Sequence, residues 1–433
     1  MTAPFPSTAT VGSPTARGGY WHPFANMATA RRDELVLVEG HGSEVLDADG
    51  RRYLDATASL WYCNVGYGRD EIVAAVEAQM RALPAYSTFG SYANAPALEL
   101  ADRLAALAPF EDAAVFLTSG GSDAVETVGK LVRAYWTALG QPQRQIVIAR
   151  DRAYHGMHTL GTSLAGIPAN HAVYGDMVPT VAHIAHDSAA ALEAEIERLG
   201  SDSVAAFIAE PVIGAGGVIP PPDGYWPAVA EVCRAHGILL VSDEVICGFG
   251  RLGEWWGCQR YGVVPDLVTF AKGVTSGYMP LGGVLASPRV QEPFFTGEGT
   301  WFRHGYTYSG HAAAAAAALA NLDVVEGEEL LAYAGTIEPR LAETLARLGE
   351  HALVGAVRAE GLVGAVELAP DVLAADPGLL DRVVLGAREQ HVLTRALGGT
   401  ALQISPPLIV TPEQVEALGE RLWATLEHVE MNA

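Results

Sequence analysis

From about Asp70 the apolar residues of the chain alternate between two spacings. DEIVAAVEAQMRAL and APALELADRLAAL place them three and four apart, which predicts amphipathic helices. AAVFLTSG then runs apolar and stops at glycine, as a strand buried on both faces does. SDAVETVGKLVRAYWTALG predicts a helix, RQIVIARD a strand, AALEAEIERLG a helix, VAAFIAEPV a strand and WPAVAEVCRAHG a helix. ILLVSDEV, DLVTFAK and GGVLAS predict further strands. Short continuous apolar strands between helices imply an α/β fold with a mostly parallel sheet covered on both faces.

HAAAAAAALANLDVVEGEEL predicts one long helix, its alanines suited to close packing. Beyond it the pattern changes. TIEPRLAETLARLGE reads as a helix, VGAVRAEGLVGAVELA as an antiparallel hairpin, LLDRVVLGAREQ as a helix, TALQISPPLIV as an extended piece and TPEQVEALGERLWATLEHVE as a terminal helix. This is the pattern of a smaller α+β domain. ELVLVEGHGSEVLDADGRRYLDA, near the N-terminus, is strand-like with an Asp-Gly turn and is expected to pack on that C-terminal piece. The expected organisation is a Pro/Thr/Ser/Gly-rich mobile leader over 1–19, small-domain residues over 20–65, a large domain over 66–320, and the rest of the small domain over 321–433.

Composition narrows the partners. The chain has 433 residues, half of them hydrophobic, and 27 Lys+Arg against 50 Asp+Glu, a net charge of −23. Such a field repels phosphate backbones and anionic lipid, so nucleic acid and membrane surfaces are excluded as expected partners. No apolar run is long enough to cross a bilayer, and the first residues lack the pattern of a signal peptide. The four cysteines form no Cys-x-x-Cys pair, which suits a reducing cytoplasm.

The candidate chemistry lies at the strand ends, where ligands of such sheets bind. Lys272 follows the apolar run LVTFA, and a lysine there needs a reason. Desolvation lowers an amine's pKa and makes it a nucleophile toward carbonyls. The commonest stable product is a Schiff base with pyridoxal phosphate. That cofactor makes three further demands. A buried carboxylate must keep the ring nitrogen protonated, and ILLVSDEV supplies Asp243. Backbone donors at a helix start must hold the phosphate, and TSGGSDAVET supplies Gly120, Gly121 and Ser122. A flat group must cover the ring, and RAYHGMHT offers Tyr154 with His155 and Gly156.

With these residues in this order, the chain resembles the class III pyridoxal-phosphate aminotransferases, of fold type I, from about Trp21 to the C-terminus. LLVSDEVICGFGRLGEWWG followed by PDLVTFAKG carries the resemblance. It implies a large domain around a seven-stranded, mostly parallel sheet, with a smaller α+β domain built from both termini. It implies that Lys272 carries the cofactor and that Asp243 pairs with the pyridine nitrogen. Val245 would pack on the ring face opposite Tyr154, Gly121 and Ser122 would hold the phosphate, and Glu210 would lie near the ring hydroxyl. Thr307, in HGYTYSGHA, matches a threonine that reaches the cofactor phosphate of a neighbouring subunit, so a homodimer, or a tetramer of such dimers, is implied. LWYCNVGYGR, RALPAYSTFG and VLTRALGGTALQISPPL resemble the amine:pyruvate group, the omega-transaminases. Trp61, Phe89 and Tyr154 would then line the substrate pocket, and Arg395 would bind the keto acid's carboxylate. The implied substrates are an amine or omega-amino acid donor and pyruvate. Transfer to 2-oxoglutarate, or from another donor such as a diamine, is the alternative. Ala215 stands where ornithine and 4-aminobutyrate enzymes carry a glutamate that gates their arginine. Ile213, Leu252, Asp123 and Ala312 depart from the residues usual in the family.

A rival reading comes from GFGRLG, Gly248 to Gly253, which has the Gly-x-Gly-x-x-Gly spacing of an NAD-dependent dehydrogenase. The following EWWGCQRYG does not make the long helix that motif must open, and Asp266 begins a strand instead of ending one. His155 and His158, or His183 and His186, are spaced as metal ligands could be but lack a third ligand nearby in sequence, so no metal is expected.

Overall fold

A computed structural model describes residues 19–431 apart from Asp176 and Glu298, so the leader expected over 1–19 lies almost wholly outside the described residues. At its centre is a sheet of seven strands. Numbered along the chain, after three strands described below, they are β4 (Ala114–Thr118), β5 (Ile146–Arg150), β6 (Val181–Ile184), β7 (Val204–Ala209), β8 (Leu239–Asp243), β9 (Leu267–Phe270) and β10 (Gly282–Ala286). Their spatial order is β4-β10-β9-β8-β7-β5-β6. Only β10 runs against its neighbours β4 and β9, and every other pairing is parallel. The central strands β7, β8 and β9 are buried along their whole length, as their apolar runs require.

Both faces are covered. Helix α1 (Gly121–Ala138) lays Val128, Val132 and Trp136 against Val147, Ala206 and Val241. On the other face α2 (Tyr225–Ala235) packs Trp226, Val229 and Cys233 against Ile148, Phe207 and Leu240. The alanine run forms α3 (Ala312–Gly327), whose Ala314, Ala315 and Ala318 pack with Leu100, Leu104 and Phe270. The single long helix expected there ends early. Glu329 takes φ 50°, breaks the helix, and a second helix, α4 (Leu330–Leu348), starts before the expected Thr336.

The N-terminal strands β1 (Leu37–His41), β2 (Glu44–Asp47) and β3 (Arg52–Asp55) form an antiparallel meander. It is extended by β13 (Val392–Leu393), which pairs parallel with β3, so the two ends of the chain share one sheet. A third sheet joins β11 (Val354–Glu360), β12 (Val363–Leu368), β15 (Ala401–Ile404) and β14 (Ala396–Leu397), with α4 and the terminal helix α5 (Pro412–Met431) packed over a leucine-rich core. Strand β6 is absent from the pattern read in the sequence. It is a four-residue edge strand with one buried position, too short and too exposed to leave an apolar run.

Candidate active site

Strand β8 delivers Asp243 to the carboxyl edge of the sheet, 2% exposed. Three donors converge on it. Thr269, its register partner on β9, donates its hydroxyl to Oδ1 at 2.9 Å, and the Val245 N–H donates to the same oxygen at 3.2 Å. His155 Nδ1 lies 2.6 Å from Oδ2, with the imidazole itself buried. Burial alone would push this carboxyl up. The hydrogen bond and charge of His155, then Thr269 and Val245, outweigh burial and hold it below the ordinary carboxylate range.

The neighbouring strand β9 ends one residue before Ala271, and Lys272 follows with φ 50°. A non-glycine residue in this region is an outlier that the surroundings must enforce. Asn321 of α3 enforces it by donating its amide to the carbonyls of Gly273 and Val274, at 2.9 and 3.1 Å. Burial depresses the Lys272 amine to about 8, against the pull of the Asp243 and Glu210 charges, and the Arg395 charge depresses it further. The glycines after Lys272 serve neighbours within the chain. A β-carbon on Gly273 would lie 2.5 Å from the Asn64 amide, and one on Gly277 2.4 Å from the Tyr62 ring.

Helix α1 starts at Gly121, and its N-cap, Gly120, has no side chain to satisfy the first N–H groups. A β-carbon on Gly121 would sit 2.8 Å from Val245 Cγ1 and 3.7 Å from Ala271 Cβ, so the helix start, Val245 and the residue before Lys272 converge. The Ser122 hydroxyl accepts the Met157 N–H at 3.1 Å and lies where a β-carbon on Gly156 (φ 89°) would clash. This pins the Tyr154–Met157 turn to the helix start. Glu210, beyond β7, accepts the Tyr154 N–H at 3.0 Å and the Gly214 N–H at 2.9 Å, and burial pushes its carboxyl up. Tyr154 is half-buried, and the charge of Arg395 acts on its phenol. Arg395 is itself partly buried, with its Nε lacking a hydrogen-bond partner among the described residues.

Three further sequence candidates complete the set. Trp61 is 2% exposed and packed among Val212, Ile246, Leu397 and Ala401, so its ring backs the arm that carries Arg395. Phe89 and Thr307 lie at the surface instead. Phe89 lines an open hollow with Tyr92, Trp301 and Gly305, and neither Lys272 nor Asp243 lines it. The metal-like spacing of His155 and His158 leads apart, to Asp243 and to Asp123 at 3.4 Å. The Gly248–Gly253 stretch folds as a tight loop around the fully buried Arg251. That guanidinium donates to Asn64 Oδ1 at 2.6 Å and to the Leu362 and Pro406 carbonyls, leaving no helix start for a dinucleotide. The sequence reading named His155 beside Tyr154 and missed its bond to Asp243. It also missed Thr269, the one hydroxyl in an otherwise apolar strand, and Asn321.

The sequence profile described as Aminotransferase class-III matches residues 27–426. The chain belongs to the class III aminotransferases. The aminotransferase is 42% identical over 405 residues to the putrescine–pyruvate aminotransferase of Pseudomonas aeruginosa, covering 88% of each chain. It is 39% identical over 415 residues to the diaminobutyrate–2-oxoglutarate transaminase of Halomonas elongata, covering 89% of this chain and 88% of the relative. A PLP-bound amine transaminase from an uncultivated Pseudomonas species superposes with a TM-score of 0.90 at 39% identity, covering 96% of this chain and all of the other. The sheet and its flanking helices are thus those of the pyridoxal-phosphate fold type I transaminases, and the enzyme is a pyridoxal-phosphate-dependent transaminase.

Proposed function

We propose that this aminotransferase moves an amino group from an amine, diamine or omega-amino acid to pyruvate. The observation that carries the reading is Arg395, a partly buried guanidinium beside Tyr154 with no bond at its Nε. A guanidinium whose buried Nε is unbonded among the described residues gains from an anion that arrives to meet it. A keto acid brings a carboxylate, and an arginine fork matches it in two parallel hydrogen bonds. The likeness to a putrescine–pyruvate aminotransferase supports the same donors and acceptor. The diaminobutyrate–2-oxoglutarate relative supports 2-oxoglutarate as the competing acceptor.

The residues fit the cofactor. Pyridoxal phosphate supplies, when bound, an aldehyde for the amine and a ring that withdraws electrons from the substrate carbon. Asp243, kept ionised by His155 and Thr269, suits a protonated ring nitrogen. The uncapped start of α1 at Gly121 and Ser122 suits the phosphate. Val245 and Tyr154 are the candidates for the two ring faces, and Glu210 for the hydroxyl side. Lys272, with its amine depressed to about 8, has a useful neutral fraction near neutral pH and is assigned both attachment and proton movement. Trp61 is assigned to the wall behind Arg395.

Two copies complete the site in this reading. Phe89, Tyr92 and Trp301 are 54%, 62% and 76% exposed, and their clustering around one hollow suits cover by a second copy. Thr307 and Phe89 would then serve the partner's site. We assign residues 20–65 and 321–433 to the small domain and 66–320 to the large one, supported by the β3–β13 pairing. A cytoplasmic location is supported by four free, buried thiols. The test is a panel of aliphatic amines, diamines and omega-amino acids against pyruvate and 2-oxoglutarate. A kcat/KM at least tenfold higher with pyruvate is expected. Preference for 2-oxoglutarate would overturn the acceptor assignment.

A further inference from the structure

We propose that Thr400 and Glu367, braced by Arg358, form a latch that sets the position of the arm carrying Arg395 and so tunes recognition of the acceptor's carboxylate. The inference rests on the role given to Arg395 above. Arg395 stands immediately before β14, which turns back through Gly398 (φ 57°) and Gly399 (φ 77°) into β15. The root of this arm is tied by its own ladder. Gln403 N–H donates to the Arg395 carbonyl at 2.9 Å, and Ala396 and Leu397 pair with Leu402 and Ala401.

The tip is tied by different groups. The Leu368 N–H donates to the Thr400 carbonyl at 2.9 Å, and the Thr400 hydroxyl donates to Glu367 Oε1 at 3.0 Å. The second oxygen of Glu367 accepts from Arg358 Nη1, and these two side chains are only 24% and 21% exposed. Arg358 Nε in turn donates to the carbonyls of Gly217 and Val218, at 3.0 and 2.9 Å. Arg152 braces the same loop by donating to the Gly216 carbonyl at 3.0 Å. The loop begins at Gly214, whose N–H is held by Glu210 on the floor of the site. The tip also leans on it: a β-carbon on Gly398 would lie 3.7 Å from the Gly216 carbonyl oxygen. One continuous set of bonds therefore runs from the arm's tip to Glu210.

The Arg395 guanidinium is not fixed through its Nε, which has no hydrogen-bond partner among the described residues. Its position follows from the backbone that carries it. A tighter tip leaves less motion to be lost when the acid binds, and a looser tip leaves more. A donor amine without a carboxylate does not use Arg395, so its binding should be indifferent to the latch. That asymmetry separates positioning from general support of the fold.

The experiment measures KM for pyruvate and for an aliphatic amine in the holoenzyme and in Thr400→Val, Thr400→Ser, Glu367→Gln, Arg395→Ala and Arg395→Ala/Thr400→Val. Thr400→Val and Glu367→Gln should raise the pyruvate KM about 3- to 10-fold, the scale of one ordinary hydrogen bond. Both should leave the amine KM within about 2-fold. Thr400→Ser, which keeps the hydroxyl, should stay close to wild type. Thr400→Val should add nothing once Arg395 is already alanine. Equal rises for both substrates, an undiminished effect in the Arg395→Ala background, or a Thr400→Ser variant as impaired as Thr400→Val would each overturn the latch. If Arg395→Ala shifts the pyruvate KM and Thr400→Val does not, the latch alone fails. If Arg395→Ala spares pyruvate, the role of Arg395 fails and takes the latch with it.

Discussion

Asp243 and His155 meet side chain to side chain at 2.6 Å although 88 residues separate them in the chain. Both side chains are buried, and the hydrogen bond and charge of His155 help hold the Asp243 carboxyl below its ordinary range against burial. The pair, with Thr269, keeps the carboxylate ionised at the end of β8, where the proposed role would give a ring nitrogen its negative partner. Asp243→Asn keeps the shape and removes the charge. It should lower kcat about 100- to 1000-fold, the scale of losing one preorganised electrostatic contact, with an unchanged far-ultraviolet circular dichroism spectrum. A half-reaction at the wild-type rate in single-turnover measurements would remove Asp243 from this role.

Lys272 gives a pH signature to the cofactor-free enzyme. Its folded-state pKa of about 8 lies below the ordinary lysine value of 10.5. Below about pH 8 both folded and unfolded chains hold the proton, and the cost of burying the charge is felt in full. Between about 8 and 10.5 only the unfolded chain holds it, so this group's contribution to stability rises with pH. The whole shift is worth about 1–3 kcal/mol, allowing for partial exposure. Lys272→Met removes the cost. Its advantage in melting temperature over wild type, both without cofactor, should be largest at pH 7.5 and shrink by pH 10. The same variant should lose the borohydride-reducible link to pyridoxal phosphate. An advantage that does not change with pH would show that the amine is not depressed.

Gly121 tests the helix start. An alanine there would place its β-carbon 2.8 Å from Val245 Cγ1. Something must shift, and overpacking of this size costs about 1–3 kcal/mol. If Val245 covers the cofactor ring, the displacement should appear as weaker pyridoxal-phosphate binding, roughly 5- to 150-fold in Kd by fluorescence titration. Thermal stability without cofactor should fall as well, because the overpacking is present in the free chain. Wild-type affinity in Gly121→Ala would separate Val245 from the ring.

The strand ends were legible in the sequence for a simple reason. A charged residue closing an apolar run, as Lys272 and Asp243 do, has no bland place to go in a buried sheet. Contacts across the chain were not legible. Nothing local to His155 announces Asp243, and nothing local to Thr400 announces Glu367, since each pairing depends on how strands stack. Trp61 shows the opposite limit. An aromatic beside a glycine-rich turn reads the same whatever it packs on, and here the ring is buried among Val212, Ile246, Leu397 and Ala401. The helix break at Glu329 was hidden because two glutamates are ordinary helix residues.

The exposed aromatics make a prediction about assembly. Trp301 and Tyr92 are 76% and 62% exposed, so replacing them with glutamate leaves the core of one chain untouched. Trp301→Glu with Tyr92→Glu should nevertheless shift the sedimentation mass from a dimer toward a single chain and reduce activity in parallel, because buried charge at an interface is costly. A variant that sediments as a fully active dimer would move the interface elsewhere.

Arg395 separates the two half-reactions. The amine donor carries no carboxylate on its reacting carbon, and the keto acid does. A fixed buried cation would oppose the first and favour the second. The guanidinium Nε has no partner among the described residues, which suits a side chain that meets the acid and withdraws from the amine. Arg395→Ala should raise the pyruvate KM roughly 10- to 150-fold, the loss of about 1.5–3 kcal/mol for a charge-assisted pair. The amine KM should change by less than about 2-fold. Arg395→Lys keeps the charge and loses the fork, so its pyruvate KM should fall between the two. Steady-state kinetics with each substrate varied in turn decides the matter. Equal losses for amine and acid would mean that Arg395 only supports the fold of its arm.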